Sequence, residues 1–213
     1  LEILTPVAKT YPSEMGIQSI SQGLQCLGGS GYCDDYPLEQ YYRDCRIHPI
    51  HEGTTGIQGM DLLGRKVIMQ NGQPFLLYIS EVQAAIGTAR EFKGLAGFAD
   101  DLDSALTKLQ EVTQKLITIA QKQGPEVFLA DATLYLDFFG IVTIAWQWLL
   151  QGIAVQRALK NGAKKSDSNF YQGKMFTLRY FFSYELPKIL GLAKRLMAGD
   201  GLTIAMQTEH FND

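Results

Sequence analysis

Apolar residues recur every three to four positions along almost the whole chain, while the strict alternation of a half-buried strand is nearly absent. The pattern predicts helices from end to end. Thr5-Pro6 supplies an N-cap and a first-turn proline. Met15, Ile20, Leu24 and Leu27 follow at helical spacing up to Gly28-Gly29, which stop the helix. Pro12 lies inside that pattern and implies either a kink or a restart. A second helix runs from Pro37 to Cys45, and Pro49 ends that region. The third begins at Thr54 or Thr55, whose hydroxyl caps it. It turns Ile57, Met60, Leu63 and Val67 inward and fades at Asn71-Gly72, and Gly64 within it suits a close helix contact.

The turn-forming run Gln70-Asn71-Gly72-Gln73-Pro74 divides this part from four longer segments. These are Phe75 to Arg90, Leu95 to Gln123, Val127 to Asn161 and, after a polar loop from Gly162 to Ser168, Asn169 to Ala198. The last is bent or broken at Pro187 and closed by Gly199-Asp200-Gly201. Leu102, Leu106, Leu109, Val112, Leu116 and Ile119 form the apolar stripe of a bundle helix. Val127 to Asn161 is apolar almost all round, the mark of a central helix. Its most apolar run, Phe138 to Leu150, is too short to cross a bilayer, so no membrane span is expected. The expectation is an all-α fold, an up-and-down helical bundle in two units, residues 1–71 and 72–213, packed on each other.

With 213 residues, 46% of them hydrophobic and 19% charged, the chain has ample material for a core. A net charge of −3, with Lys160, Lys164 and Lys165 as the one short basic cluster, leaves no footprint for nucleic acid. Cys26, Cys33 and Cys45 make no disulfide framework and point to the cytoplasm. Leu1-Glu2-Ile3-Leu4 reads as a cut through a longer polypeptide. Glu39 with Arg43, and Asp61 with Arg65, have the spacing of surface ion pairs on a helix. Asp131 and Asp137 need partners if buried, with Arg157, Lys174 or a tyrosine hydroxyl as candidates. Cys45, His48 and His51 are interrupted by Pro49 and lack a fourth ligand, so no metal site is expected.

The stretch with chemical content is Glu52-Gly53-Thr54-Thr55. By residue type, Glu52 is either a surface carboxylate favoured by the helix dipole or a general base. Gly53 lets a ligand approach the backbone, and the helix-start amides and threonine hydroxyls suit an anion. The turn Gly28-Gly29-Ser30-Gly31 alone reads as a helix C-cap.

Taken in register, the runs Gln25 to Tyr32, Tyr36 to Glu39, Arg43-Asp44 and Glu52 to Gln58 resemble the C-terminal helical domain of the acyl-CoA dehydrogenases. Leu129 to Ala132 with Leu136, Ala145-Trp146, Phe170-Tyr171 with Lys174, and Leu186-Pro187 resemble the helical extension of one subgroup. That subgroup includes the methylthiopropanoyl-CoA dehydrogenase type, which Thr55 to Gln58 and Gly64-Arg65-Lys66 also fit.

The resemblance implies part of a FAD-dependent enzyme that oxidises the α,β bond of an acyl-CoA thioester. Glu52 would take the C2 proton while hydride leaves C3 for the flavin. The Glu52 amide and Gly53 would contact substrate. Thr54, Thr55 and Gly56 would lie near FAD, and Gln25, Gly28 and Gly29 near the FAD of a neighbouring subunit. A homo-oligomer reoxidised by electron-transferring flavoprotein is implied too. His51 departs from the tyrosine frequent before this glutamate, which bears on the acyl pocket. Without the family's other domains, the chain alone is expected to bind no FAD tightly and to turn over nothing. The competing class is a non-catalytic helical module for oligomerisation or docking.

Overall fold

In a computed structural model that describes residues 1–162 and 164–211, all regular structure is helical. The long elements are α1 (Thr5–Leu27), α5 (Gln73–Arg90), α6 (Ala96–Gln123), α8 (Ala132–Lys160), α9 (Ser168–Tyr180) and α10 (Ile189–Ala198). Shorter ones are α2 (Gly29–Tyr32), α3 (Leu38–Cys45), α4 (Thr55–Asp61), α7 (Pro125–Leu129) and α11 (Leu202–Ala205). A 3-10 turn, Lys165–Asp167, occupies part of the loop before α9. Ala163, Asn212 and Asp213 lie outside the described residues, and so does the Lys165 side chain of the basic cluster.

The centre of the fold is α8, which packs against α1, α4, α5, α6, α9 and α10. Within its 29 residues an 18-residue window reaches a mean hydropathy of 1.6, so by length and composition it is long and apolar enough to cross a membrane. The apolar helix is therefore longer than the Phe138–Leu150 run suggests, but here most of that window is buried inside the protein. The stripe predicted on α6 is buried in full, from Leu102 to Ile119. One continuous apolar cluster joins Ile3, Val7, Leu62, Leu63 and Val67 of the first part to the core around α8.

Most polar groups inside this core are paired, the Thr10 hydroxyl and the Trp146 indole N–H being the exceptions among the described residues. Tyr135 shares a 2.7 Å hydrogen bond with Thr113, and Tyr78 a 3.1 Å bond with Thr143. Each threonine hydroxyl donates to a carbonyl one turn back, Leu109 and Phe139 respectively, so the tyrosines are the donors to the threonines. Burial pushes both phenols well above their ordinary range.

Several sequence expectations are corrected. Thr5 is already helical and Leu4 is the N-cap, with no side-chain cap. Pro12 neither breaks nor restarts α1, which continues through it. The Ala8 carbonyl left without its N–H partner belongs to an exposed residue, where water replaces the bond. Ile57 and Met60 are exposed rather than inward. After Asp61 the backbone widens into a π turn, Leu62–Lys66, closed by the Val67 amide on the Leu62 carbonyl at 3.0 Å. Leu63 and Val67 are buried as expected, and the extra residue brings Leu62 into the buried face beside them. A second π turn, Phe181–Glu185, precedes Pro187 and makes the break expected there.

Asp131 pairs with Arg195 at 3.0 Å, not with Arg157 or Lys174. The same guanidinium grips Asp200, holding its carboxyl down at about 2 with help from the Leu202 amide. Lys174 instead donates to Gln151 and lies over the Trp148 and Phe170 rings. Asp61 pairs with Arg65 as expected, at 2.6 Å, whereas Glu39 and Arg43 form no ion pair among the described residues.

The first part is locked onto α8 by glycine. A Cβ on Gly59 would sit 2.8 Å from the Ala132 carbonyl oxygen and 3.0 Å from the Thr133 nitrogen. Both are backbone atoms that cannot rotate away. Gly64, the close contact expected from sequence, meets the more yielding Leu129 side chain at 3.1 Å. Gly59→Ala is therefore expected to destabilise the chain by about 1–3 kcal/mol in denaturant unfolding, through separation of α4 from α8. Gly97→Ala, where a Cβ meets nothing within 4 Å, is the control and should be unchanged or more stable by up to about 1 kcal/mol. Equal midpoints for the two variants would refute the contact.

Candidate active site

Between α3 and α4 the chain turns through Arg46–Thr54 without forming a regular helix. The turn is tied at both ends. The His51 amide donates to the Ile47 carbonyl at 3.1 Å, and the Thr55 amide to the Pro49 carbonyl at 3.2 Å. At its apex Glu52 has φ +53° and Gly53 φ +90°. A left-handed residue other than glycine costs about 1–2 kcal/mol, so the surroundings must hold it there.

Two side chains do so. Lys9 of α1 donates Nζ to the Gly53 carbonyl at 2.7 Å, and Gln58 of α4 donates Nε2 to the Glu52 carbonyl at 3.1 Å. The Lys9 bond is charge-assisted and partly buried, worth roughly 1.5–3 kcal/mol, enough to offset the strain. Both apex carbonyls thus face the protein. The amides of Glu52, Gly53, Thr54 and Gly56 have no acceptor among the described residues. The result is a short arc of outward N–H donors beside one carboxylate.

Thr54 caps α4 as expected, its Oγ1 accepting from the Ile57 amide at 3.4 Å. Thr55 donates its hydroxyl to Glu14 of α1 at 2.5 Å. With its amide also engaged, Thr55 meets a ligand only as an acceptor, while Thr54 and Gly56 keep free donors. Glu52 is exposed, and the described residues place no wall over its carboxylate.

A neighbouring cleft of about 520 Å³ reaches this turn only at Thr55. Its walls come from Tyr11, Glu14, Asp137, Glu185 and Lys188. Burial, with Glu185 adding to it, pushes the Tyr11 phenol up to about 12. Burial, then Glu14, raises the Asp137 carboxyl above the usual range.

Gln25, Gly28 and Gly29 form a separate group at the far end of α1. All three are exposed, Gly28 turns at φ +60°, and a Cβ on either glycine would meet nothing within 4 Å. Glu14, which holds Thr55, and Gln25 lie about 16 Å apart along the helix axis. The two groups therefore lie too far apart to meet at one small ligand. His48 and His51 stand with ring centroids 5.5 Å apart, and no metal-binding cluster occurs among the described residues.

Lys9 and Glu14 were not marked by the sequence, because their partners lie 44 and 41 residues away. Gln58 fell inside the quoted motif without a role.

Comparisons with known proteins agree in direction. A family profile described as "Acetyl-CoA dehydrogenase C-terminal like" matches residues 78–207, and one described as "Acyl-CoA dehydrogenase, C-terminal domain" matches residues 2–67. A butyryl-CoA dehydrogenase of Syntrophomonas wolfei is 29% identical, over 98% of this chain and 34% of that relative. A 3-methylmercaptopropionyl-CoA dehydrogenase of Ruegeria pomeroyi is 32% identical, over 96% of this chain and 34% of its own length. The crystal structure of a Bacillus anthracis acyl-CoA dehydrogenase complexed with FAD superposes with a TM-score of 0.69 at 21% identity. It covers 95% of this chain and 35% of that one, which establishes the shared fold. The chain spans about a third of the length of the curated relatives it matches.

Proposed function

Because the chain belongs to the acyl-CoA dehydrogenase family, we propose that it is the C-terminal part of an enzyme that removes two hydrogens across the α,β bond of an acyl-CoA thioester. The observation that carries this reading is the Glu52-Gly53 turn, left-handed at both residues, with its carbonyls held and its amides free. A carboxylate beside unpaired N–H donors is the pair that α-deprotonation of a thioester requires. The acid C2–H needs a base. The enolate-like charge growing on the carbonyl oxygen needs donors aimed at it in advance.

Glu52 accepts the C2 proton, and the Glu52 amide holds the thioester oxygen, with Gly53 permitting its close approach. The free donors of Thr54 and Gly56 fit a phosphate- or carbonyl-bearing cofactor, and the open backbone at Gly28-Gly29 beside Gln25 fits a second approach. FAD, when bound, supplies the acceptor for the C3 hydride. The distance between the two groups supports a homo-oligomer in which each serves a different flavin. Electron-transferring flavoprotein is the physiological oxidant to which the resemblance points. The exposed Glu52 carboxylate is covered, in this reading, by polypeptide of the kind that makes up the other two thirds of the relatives. The division into units 1–71 and 72–213 falls in a turn where Gln70, Asn71 and Gly72 are all left-handed. Three free cysteines support a cytoplasmic setting.

Anaerobic mixing of the flavin-loaded full-length protein with acyl-CoA thioesters of graded chain length tests the reading. Bleaching of the oxidised flavin absorbance with formation of the 2-enoyl-CoA is expected for at least one of them. An unchanged spectrum across the series would overturn it.

A further inference from the structure

Across a trans peptide bond the carbonyl and the following N–H point in opposite directions. Gln58, by gripping the Glu52 carbonyl, therefore aims the Gly53 N–H away from the body of the chain. Lys9, by gripping the Gly53 carbonyl, does the same for the Thr54 N–H. Two successive peptide planes are thereby fixed from two different helices. With its carbonyl held and φ at +53°, the Glu52 Cα has one direction left for its Cα–Cβ bond. Gly53 completes the device, since a Cβ there would lie 2.8 Å from Gln58 Nε2 and push the amide off its carbonyl.

Lys9 forms no ion pair among the described residues. Its charge is directed at the Gly53 carbonyl alone. Nor is it placed by the turn itself: α1 positions it, and α1 also reaches the start of α4 through Glu14 and Thr55. The apex is thus referenced to a long helix that packs on the core, rather than only to the irregular run before it.

We propose that Lys9 and Gln58 are positioning residues for the Glu52 base, clamping the two peptide planes that follow it so that carboxylate and outward amides keep one mutual orientation. The proposal rests on the assignment of Glu52 above. Neither side chain touches the outward face of the turn, so both act through Glu52 rather than on substrate.

The test uses the flavin-loaded full-length enzyme with Lys9→Met, Lys9→Arg, Gln58→Leu and Glu52→Gln. Lys9→Met and Gln58→Leu are each expected to lower kcat by about tenfold or more with KM within about twofold, because the loss is of orientation rather than binding. Lys9→Arg, which keeps a charged donor, recovers most of that loss. Independently of activity, hydrogen exchange should quicken in Lys9→Met at the Thr55 and Gln58 amides, now closed on the Pro49 and Thr54 carbonyls. Exchange in the α6 core should stay unchanged. Wild-type kcat in Lys9→Met, or wild-type exchange at both amides, overturns the clamp. If that happens while Glu52→Gln is inactive, the base assignment survives alone. If Glu52→Gln remains active while exchange quickens, the clamp is real but serves no base, and the proposal falls with the assignment.

Discussion

Glu52→Gln in the flavin-loaded full-length enzyme is expected to lose roughly 10²- to 10⁴-fold in kcat, the range a positioned general base supplies. Glutamine keeps the size and the hydrogen-bonding reach of glutamate but has no basic oxygen able to take a proton from carbon. The backbone device is untouched, since Lys9 and Gln58 hold main-chain carbonyls at the apex and not the Glu52 side chain. Folding and flavin stoichiometry should therefore match the parent protein. Substrate should still bind, because the outward amides remain in place. The diagnostic pattern is intact binding with a collapsed chemical step, read by flavin absorbance and single-turnover reduction. An unchanged reduction rate would remove Glu52 as base. Loss of flavin along with activity would instead make it a structural residue.

Gly53→Ala at the neighbouring position should fail differently. A methyl group there forces a non-glycine residue to φ +90° and displaces Gln58, so orientation is lost although the carboxylate remains. Removing the base and removing its setting are thus separate experiments on adjacent residues.

The helices were legible because burial writes a period into the sequence. The stripe from Leu102 to Ile119 is read off by spacing, and the same residues line the core. Spacing failed where the backbone departs from the α period. A reading at 3.6 residues per turn sends Ile57 and Met60 inward, and the π turn at Leu62–Lys66 re-aims the register after them. No residue in Leu62-Leu63-Gly64-Arg65-Lys66 announces that widening.

The site was half legible for a related reason. Glycine and threonine beside Glu52 declare a turn and a helix cap, and both are there. That Glu52 itself is left-handed has no local signature, because one of the two side chains that hold the turn, Lys9, arrives from a distant part of the chain. Arg195 and Asp131, 64 residues apart, are the same kind of pair. Contacts of this sort are settled by how α1, α8 and α10 pack, and packing is the step that periodicity does not encode.

Phe139→Ala tests that packing at its centre and is expected to destabilise the chain by about 3–5 kcal/mol, the range for deleting a buried aromatic ring. Phe139 is fully buried on α8. Its ring lies 4.6 Å from Tyr78 and 6.2 Å from both Phe75 and Tyr135, so it touches the aromatic side chains of two helices at once. The flanking rings cannot close the gap freely. Tyr78 is tied to Thr143 and Tyr135 to Thr113, and moving either phenol inward would leave a buried hydroxyl without its partner. A cavity persists, and its cost adds to the lost transfer energy. Denaturant unfolding should show a lower midpoint with an unchanged slope, since the surface exposed on unfolding hardly changes. Phe170→Ala is the matched control: its ring is exposed on α9, and removing it should shift stability by no more than about 0.5 kcal/mol. A Phe139→Ala midpoint indistinguishable from that control would mean that the aromatic cluster is not what joins α5 to α8.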